Sequence, residues 1–228
     1  MIDVSLEADR LATLMEYEIL DTPPEPQYDA IVGAAAYRTG APISTITLVD
    51  DDRQWFKARI GLDADETPIE QSFCAHAIQG DDLFIVADAK ADPRFQDFAN
   101  VTGEPNIRFY AGAPLRMDNG VCIGTLCVID VEPRAGLDED EQAALRDLAR
   151  RTVAAFEMRR EMRHHRAATV EAMLHGGEIG DHDLPWLERA SEHLIQAAAA
   201  LDQVNATAPL ARLEEVIDQI DRLRLARR

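Results

Sequence analysis

Two runs of strand-forming residues flank a turn in IRFYAGAPLRMDNGVCIGTLCVID, residues 107–130, and this hairpin pattern is the strongest indication of the fold. Branched and aromatic side chains favour extended backbone, because they pack well on a pleated surface. Between the runs, Asp118-Asn119-Gly120 is a strong hairpin signal, since Asn and Gly tolerate positive φ at both central positions of a tight turn. The stretch predicts strands over Ile107–Leu115 and Val121–Ile129, with Gly124 marking a point of close packing.

A second antiparallel pair of strands is predicted upstream. ISTITLV, Ile43–Val49, is rich in β-branched residues, and RQWFKARI, Arg53–Ile60, forms the returning strand. Neighbouring Trp55 and Phe56 must face opposite ways on this strand, so one belongs to the core and the other to a surface or pocket. A shorter apolar run, LFIVA, predicts a further strand over Leu83–Ala87.

Helices are predicted at both ends of this β region. Apolar residues near the helical period predict a first helix that begins at a Ser5 cap and continues to Leu20. Asp21–Pro24 ends this helix, because proline lacks an amide hydrogen. A second helix is predicted over Tyr28–Thr39. After Leu137 the apolar residues recur in a heptad-like pattern. The seam that they form along the helix fits either a dimer contact or an internal helix face. Its members are Leu145, Leu148, Thr152, Ala155, Arg159 and Met162.

The last part of the chain predicts a helical extension. Gly176-Gly177 breaks the long helix, and two more helices are predicted beyond it, the second over Pro209–Leu225. From Arg159 onward ten arginines accompany twelve acidic residues, whereas the whole chain carries a net charge of -19, so the two parts differ in surface charge. We therefore expect a first domain over residues 1–162 and a helical hairpin over residues 163–228.

Composition narrows the classes of function. Of 228 residues, 46% are hydrophobic and 29% are charged, so the chain can bury a core. The 42 acidic residues outnumber 23 basic ones, which argues against nucleic-acid and membrane partners, because such a surface repels phosphate groups. No apolar segment is long enough to span a membrane, and the N-terminus lacks signal-peptide features. Three cysteines without a CxxC pair indicate a reduced, cytoplasmic protein.

Six stretches of the chain together resemble a GAF domain of the bacterial type joined to sensor kinases and cyclic-dinucleotide enzymes. They are ILDTPPEPQYDAIV, ITLVDDDRQWFKARIGL, ETPIEQSFCAHAI, IVADAKADPRF, IRFYAGAPL and GVCIGTLCVID, between about Leu11 and Glu157. The resemblance implies an α+β fold with a central antiparallel sheet of about six strands, flanked by helices. Terminal helices would pack on one face, a pocket under loops and short helices would lie on the other, and a C-terminal helical extension would follow.

The resemblance also implies a function. Members of this family act as sensory or regulatory modules, often as dimers through their terminal helices, and they bind different small molecules, so the fold does not name the ligand. We therefore expect a noncatalytic signalling protein, not an enzyme, that binds an unidentified small molecule. We also expect a homodimer and a signalling protein as a further partner. The cofactor is unknown, and no metal site is expected.

SFCAHAI, Ser72–Ile78, places a thiol two residues before an imidazole. If Ser72 caps a short helix here, Cys74 and His76 lie about 200° apart, which is poor geometry for a nucleophile and its base. Two ligands fall short of the four that zinc requires, and bilin-binding members of the family use a Cys-His dipeptide further along the chain. Two interpretations remain: a packed wall, or a wall in which Phe73 or His76 also contacts a noncovalent ligand.

Five residues are the candidate ligand contacts. Arg94 lies in a turn and can meet a carboxylate or phosphate, or form an internal ion pair with one of the many acidic residues. Tyr110 can offer a ligand its hydroxyl group from a half-buried strand. The full set of candidates is Phe73, His76, Arg94, Phe95 and Tyr110.

Two alternatives from other functional classes stay open. One GAF subfamily reduces free methionine sulfoxide with paired cysteines. Here Cys122 and Cys127 lie about 16 Å apart in one predicted strand and cannot bridge each other, while the sequence leaves open a link from Cys74 to either one. The other alternative is histidine phosphotransfer through His193, on a predicted helix of the C-terminal extension.

Overall fold

The computed structural model describes the backbone of residues 4–174 and the side chains of residues 6–164. Within it, one compact unit extends to Met162. Gly176-Gly177, the helix predicted over Pro209–Leu225 and the candidate phosphotransfer residue His193 lie outside the described residues. The division into two domains therefore stays a prediction.

Five α-helices are described between residues 4 and 174. They are α1 Val4–Glu16, α2 Pro26–Thr39, α3 Phe73–Ala77, α4 Ala99–Thr102 and α5 Glu139–Leu174. A 3-10 turn, Ile69–Gln71, directly precedes α3. Turns precede α4, which begins only at Ala99.

α1 is shorter than its apolar pattern predicts. The pattern continues to Leu20, yet the helix ends at Glu16, and Glu18 and Asp21 have φ angles of 43° and 57°. These angles lie outside the right-handed helical region, so the chain turns away from the helix axis. The turn buries Tyr17 completely, so tertiary packing overrides the local period at this point.

Six strands form one antiparallel sheet in the order β3-β2-β1-β6-β5-β4. They are β1 Ile43–Val49, β2 Arg53–Ile60, β3 Glu66–Pro68, β4 Phe84–Val86, β5 Phe109–Arg116 and β6 Cys122–Asp130. The sequence predicted five of them near their observed bounds. It missed β3, because three residues that end in proline carry almost no strand pattern.

The β5–β6 hairpin closes differently from the predicted turn. The Gly120 amide donates to the Met117 carbonyl, and the Met117 amide donates to the Val121 carbonyl, each at 2.8 Å. Gly120 has a φ of +84°, whereas Asn119 is not among the residues with positive φ. One left-handed residue therefore reverses the chain, as in hairpins where a turn is followed by a glycine bulge. The predicted hairpin is confirmed, although Asn119 does not adopt the positive φ that it tolerates.

The sheet has a helical face and a cavity face. On the helical face, side chains of α1, α2 and α5, including Phe156, share one buried cluster with Ile46 and Leu126 of the strands. On the cavity face, α3 and the segment around α4 cover a second buried cluster. Trp55 belongs to the first cluster and Phe56 to the cavity, as their adjacent positions on β2 predict. The predicted layering of the fold is confirmed.

The first part of the α5 seam serves as an internal helix face. Leu145 and Thr152 are completely buried, and Leu145 shares the helical-face cluster with sheet residues. Arg159 forms an ion pair with Glu25 at 2.8 Å, which explains a charged residue in an otherwise apolar pattern. Met162, the last member of the seam, is exposed.

Candidate functional site

A cavity of about 50 Å³ lies on the face of the sheet opposite the terminal helices. Its apolar walls come from strands, α3 and loops. Its polar lining residues are Thr45, Thr47, Gln54, Thr67, Cys74, Asn100, Tyr110 and Cys127. All its lining residues are described, and none of them is Asp, Glu, Lys, Arg or His.

The bottom of the cavity is a polar floor formed by Thr45, Thr47 and Cys127. Thr45 and Thr47 lie two positions apart on β1, so both side chains point to the same face. The sheet register places Thr45 directly opposite Cys127 of β6. The Thr45 hydroxyl lies 2.7 Å from the Thr47 hydroxyl and 3.0 Å from Cys127 Sγ, so the three groups form one buried hydrogen-bonded row.

Ser72 positions α3 at the rim of the cavity. Its hydroxyl oxygen accepts a hydrogen bond from the Ala75 amide at 3.0 Å, which confirms the predicted helix cap. The same hydroxyl donates to Gln54 Oε1 at 2.7 Å, and Gln54 Nε2 donates to the Thr67 hydroxyl at 2.6 Å. The start of α3 is therefore held to β2 and β3 by a continuous chain of hydrogen bonds.

α3 directs Cys74 and His76 into different surroundings. Cys74 is buried and its sulfur accepts a hydrogen bond from the Tyr110 hydroxyl at 3.3 Å. The His76 ring instead meets the Phe95 ring edge-on, with 5.0 Å between centroids. Burial, followed by the nearby positive charge of Arg94, lowers the pKa of His76. The two residues do not act as a nucleophile and its base in this arrangement, as the helical spacing predicts.

Cys74 and Cys127 meet at the polar floor. Burial acts to raise the pKa of Cys74, but hydrogen bonds from Cys127, Thr125 and Tyr110 outweigh it, so the pKa of this thiol is lowered. The hydrogen bond that Cys127 donates to Cys74, together with burial, raises the pKa of Cys127 well above its ordinary value. Of the two thiols, Cys74 is therefore the first to lose its proton.

The structure brings the five predicted ligand contacts into one cluster. The Phe73 ring stacks on Phe95 at 4.5 Å and on Tyr110 at 5.2 Å between centroids. The Arg94 guanidinium lies 4.9 Å from the Phe95 centroid and pairs with a neighbouring aspartate. Phe73 and Tyr110 line the cavity, whereas His76, Arg94 and Phe95 lie behind Phe73 and are not among the lining residues. Ligand contact by these five residues stays a prediction.

Sequence reasoning missed most of the polar lining. Thr45 and Thr47 left a usable signal, because they occupy alternate positions of a strand and therefore share one face. Gln54 and Asn100 left none, since separate segments bring them to the cavity. Asn100 Nδ2 donates to the Gln71 carbonyl at 3.1 Å, while its buried Oδ1 has no hydrogen-bond partner among the described residues. That oxygen is free to accept a hydrogen bond from a ligand.

Comparison with known proteins gives a family and one clear relative. A family model described as the GAF domain matches residues 5–156. A Pseudomonas aeruginosa protein named as a cyclic di-GMP phosphodiesterase is 47% identical over 148 residues, which are 65% of this chain and 25% of that protein. The chain thus spans about a quarter of the length of that relative.

Solved structures share the fold at low sequence identity. One is a free methionine-R-sulfoxide reductase from Neisseria meningitidis, with a TM-score of 0.50 and 20% identity, covering 71% of this chain and 96% of that chain. Another is the chromophore-binding domain of a bacteriophytochrome from R. palustris, with a TM-score of 0.51 and 10% identity, covering 72% of this chain and 64% of that chain. At these identities the likeness concerns the fold alone.

The prediction of a noncatalytic protein that is not an enzyme is wrong. The Pseudomonas relative, 47% identical over the matched segment, is named as a phosphodiesterase, which is an enzyme. The prediction came from the resemblance to sensory modules, together with the poor geometry expected for Cys74 and His76 as a nucleophile and its base. Neither observation carries information on whether the domain belongs to an enzyme.

Other predictions about partners and location are not decided by these comparisons. The small-molecule ligand, the homodimer, the signalling partner and the exclusion of nucleic acid stay predictions. In the part of the chain that the structure describes, no helix has the length and apolar character needed to span a membrane. A cytoplasmic location also stays a prediction.

Sequence, fold and comparison lead to the same family. The family model covers the region that contains the whole sheet, α1 to α4 and the first half of α5. The sheet is antiparallel, has six strands and carries terminal helices on one face and a cavity on the other. The chain therefore belongs to the GAF domain family and is a GAF domain of signal transduction.

Proposed function

We propose that this GAF domain senses a small uncharged molecule in its cavity and thereby regulates an enzyme of cyclic di-GMP turnover. The lining of the cavity carries the proposal, because it offers hydroxyl, amide and thiol groups but no carboxylate, ammonium, guanidinium or imidazole. A charged ligand would be buried there without a partner, which costs several kcal/mol. The anionic cyclic dinucleotide itself is therefore a poor ligand for this cavity.

The size of the cavity supports a compact ligand. A volume of about 50 Å³ exceeds the roughly 10–15 Å³ that one water molecule needs. It is well below the ~300–1,000 Å³ typical of sites for drug-sized molecules. The floor hydroxyls of Thr45 and Thr47 can donate or accept, and Asn100 Oδ1 can accept. A compact neutral molecule with at least one hydrogen-bond donor suits this arrangement.

The strands of the polar floor give the ligand a direct connection to α5. Along β1, Thr45 and Thr47 face the cavity while Ile46 between them faces the helices. Ile46 shares a buried cluster with Phe156 of α5. A ligand that shifts the floor would therefore shift the packing under α5. Such a ligand changes the equilibrium only if it binds one helix arrangement more tightly than the other.

The enzyme named in the proposal comes from the Pseudomonas relative. That protein is named as a cyclic di-GMP phosphodiesterase, and 47% identity over the matched segment supports a shared regulatory role for this segment. The alternative of a free methionine sulfoxide reductase is not favoured, since the likeness to the Neisseria enzyme is one of fold. Histidine phosphotransfer would involve His193, which lies outside the described residues.

Blocking the cavity tests ligand binding. Leu62 lines the cavity, so Leu62→Trp should fill its mouth, whereas Ile60→Trp, at an exposed position of β2, should leave it open. We expect native mass spectra of freshly purified wild-type protein to show a noncovalently bound small molecule. Ile60→Trp should retain it and Leu62→Trp should lose it. A wild-type protein without any bound mass, or a Leu62→Trp protein that keeps it, would argue against the proposal.

We also propose that the predicted homodimer forms through the terminal helices. Met158 and Met162 are one turn apart on α5 and are 63% and 48% exposed, which is unusual for paired apolar side chains on a monomer. Changing both to glutamate should convert a dimer to a monomer in light scattering coupled to size-exclusion chromatography. Tyr37→Glu, at an 86% exposed position of α2, should leave the dimer intact. A monomeric wild-type protein, or a dimer that the double change does not weaken, would contradict this interface.

A further inference from the structure

We propose that Cys74 and Cys127 form a reversible disulfide when a hydroperoxide enters the cavity, which makes the cavity floor a site of redox modification. The two cysteines come from different elements, α3 and β6, and both line the cavity. Both are free thiols in the structure. The proposal does not depend on the identity of the sensed ligand.

Contacts between side chains bring the two sulfurs together. Both cysteines line the same cavity of about 50 Å³, and they lie close enough for each thiol to shift the pKa of the other. Tyr110 approaches Cys74 Sγ from β5 at 3.3 Å, and Thr45 contacts Cys127 Sγ from β1 at 3.0 Å. Each sulfur is thus held in place by a hydroxyl group of the sheet.

The surroundings of Cys74 favour its thiolate over that of Cys127. The sulfur of Cys74 accepts a hydrogen bond from the Tyr110 hydroxyl at 3.3 Å, which stabilises negative charge on it. The thiolate is the reactive form of cysteine, because it is the nucleophile that attacks peroxides and disulfides. Cys74 is therefore the attacking residue and Cys127 the resolving one.

The reaction balances with a hydroperoxide as oxidant. The Cys74 thiolate attacks one peroxide oxygen, an S–O bond forms, the O–O bond breaks, and the other oxygen leaves as water or alcohol after taking up a proton. Cys74 is then a sulfenic acid. The Cys127 sulfur attacks the Cys74 sulfur, an S–S bond forms, the S–O bond breaks, and water leaves with the Cys127 proton. Two thiols lose two electrons and two protons, and the peroxide gains them.

The cavity supplies the access that buried thiols otherwise lack. Buried cysteines in closed cores are usually inert, but Cys74 and Cys127 border a cavity whose uncharged lining suits a small neutral oxidant such as hydrogen peroxide. Cys122 provides the contrast. It is also buried and lies on the same strand, yet it is not a lining residue, and its thiol donates to the Gly124 carbonyl at 3.5 Å.

Thiol counting on the intact chain tests the proposal. Reduced protein is treated in its native state with one equivalent of hydrogen peroxide, denatured, alkylated and weighed. We expect alkylated thiols to fall from three to one, with the loss of two hydrogens from the protein. Peptide mapping without reductant should join the peptides that contain Cys74 and Cys127, and dithiothreitol should restore all three thiols. Cys122→Ser should behave the same way, falling from two thiols to none.

Three results would overturn the proposal. They are full retention of all thiols, a disulfide that includes Cys122, and over-oxidation of Cys74 without a cross-link. In Cys127→Ser, the sulfenic acid on Cys74 should persist and be trapped by dimedone, because its resolving thiol is gone. If Cys127→Ser does not fold, the wild-type and Cys122→Ser measurements still test the proposal.

Discussion

Replacing Gly124 with alanine is expected to lower the free energy of unfolding by about 3 kcal/mol or more. A Cβ at this position would lie 2.0 Å from the Thr47 carbonyl oxygen, far inside van der Waals contact. The obstacle is the backbone of β1, which is paired with β6 and cannot retreat without breaking that ladder. Urea denaturation followed by circular dichroism would measure the loss.

A second glycine provides a matched control. Gly33 lies within α2, and a Cβ added there would meet nothing within 4 Å. Gly33→Ala should therefore stabilise the protein by about 0.5–1 kcal/mol, because alanine loses less backbone entropy in a helix. If Gly124→Ala unfolded at the same urea concentration as the wild type, the close approach of β1 and β6 would be incorrect. The same substitution should also displace Thr47 and so disturb the cavity floor.

Lys57→Met is expected to produce the second large loss, about 2–3 kcal/mol. Lys57 is 2% exposed, and its ammonium group donates to the Thr22 hydroxyl, the Pro23 carbonyl and Glu25 Oε1, each at 2.8 Å. Methionine preserves most of the volume but leaves these acceptors without their donor. The expected loss of stability is smaller than for a buried pair that leaves one charge unpaired, because Glu25 keeps its ion pair with Arg159.

An exposed ion pair shows what the burial of Lys57 adds. Arg151 pairs with Asp147 at 2.8 Å, but its side chain is 69% exposed. Arg151→Met should change stability by less than about 0.5 kcal/mol, because water screens such pairs. Equal losses in Lys57→Met and Arg151→Met would refute a structural role for the buried lysine. A double-mutant cycle of Lys57→Met with Glu25→Gln should give a coupling free energy of about 1 kcal/mol or more.

Glu25 belongs to a polar connection between the sheet and α5, the helix that we propose responds to the ligand. Its carboxylate accepts from Lys57 of β2 and from Arg159 of α5, so one side chain joins the sheet to the helix. Glu157 of α5 provides a second connection, since its carboxylate accepts from the Asp118 amide of the β5–β6 hairpin at 3.1 Å and from the Tyr17 hydroxyl at 2.6 Å. A change in the sheet therefore reaches α5 through polar contacts as well as through the apolar packing around Phe156.

Much of the fold could be predicted from the sequence, because it depends on local patterns. A β-branched run set β1, proline and glycine residues delimit α2 at its two ends, and Gly124 marked the close approach of two strands. These features follow from neighbouring residues along the chain. The hairpin was placed correctly for the same reason, although its turn geometry was not.

The candidate site was decided by tertiary structure. The sequence indicated that Phe73 and Tyr110 could reach a pocket, but it did not indicate the polar floor or the approach of Cys74 to Cys127. Tyr110 and Cys74 are 36 positions apart, and Thr45 and Cys127 are 82 apart. Contacts over such separations depend on strand order and register, which no local period encodes. Local patterns thus indicate most of the strands and helices, whereas long-range packing sets which side chains share the cavity.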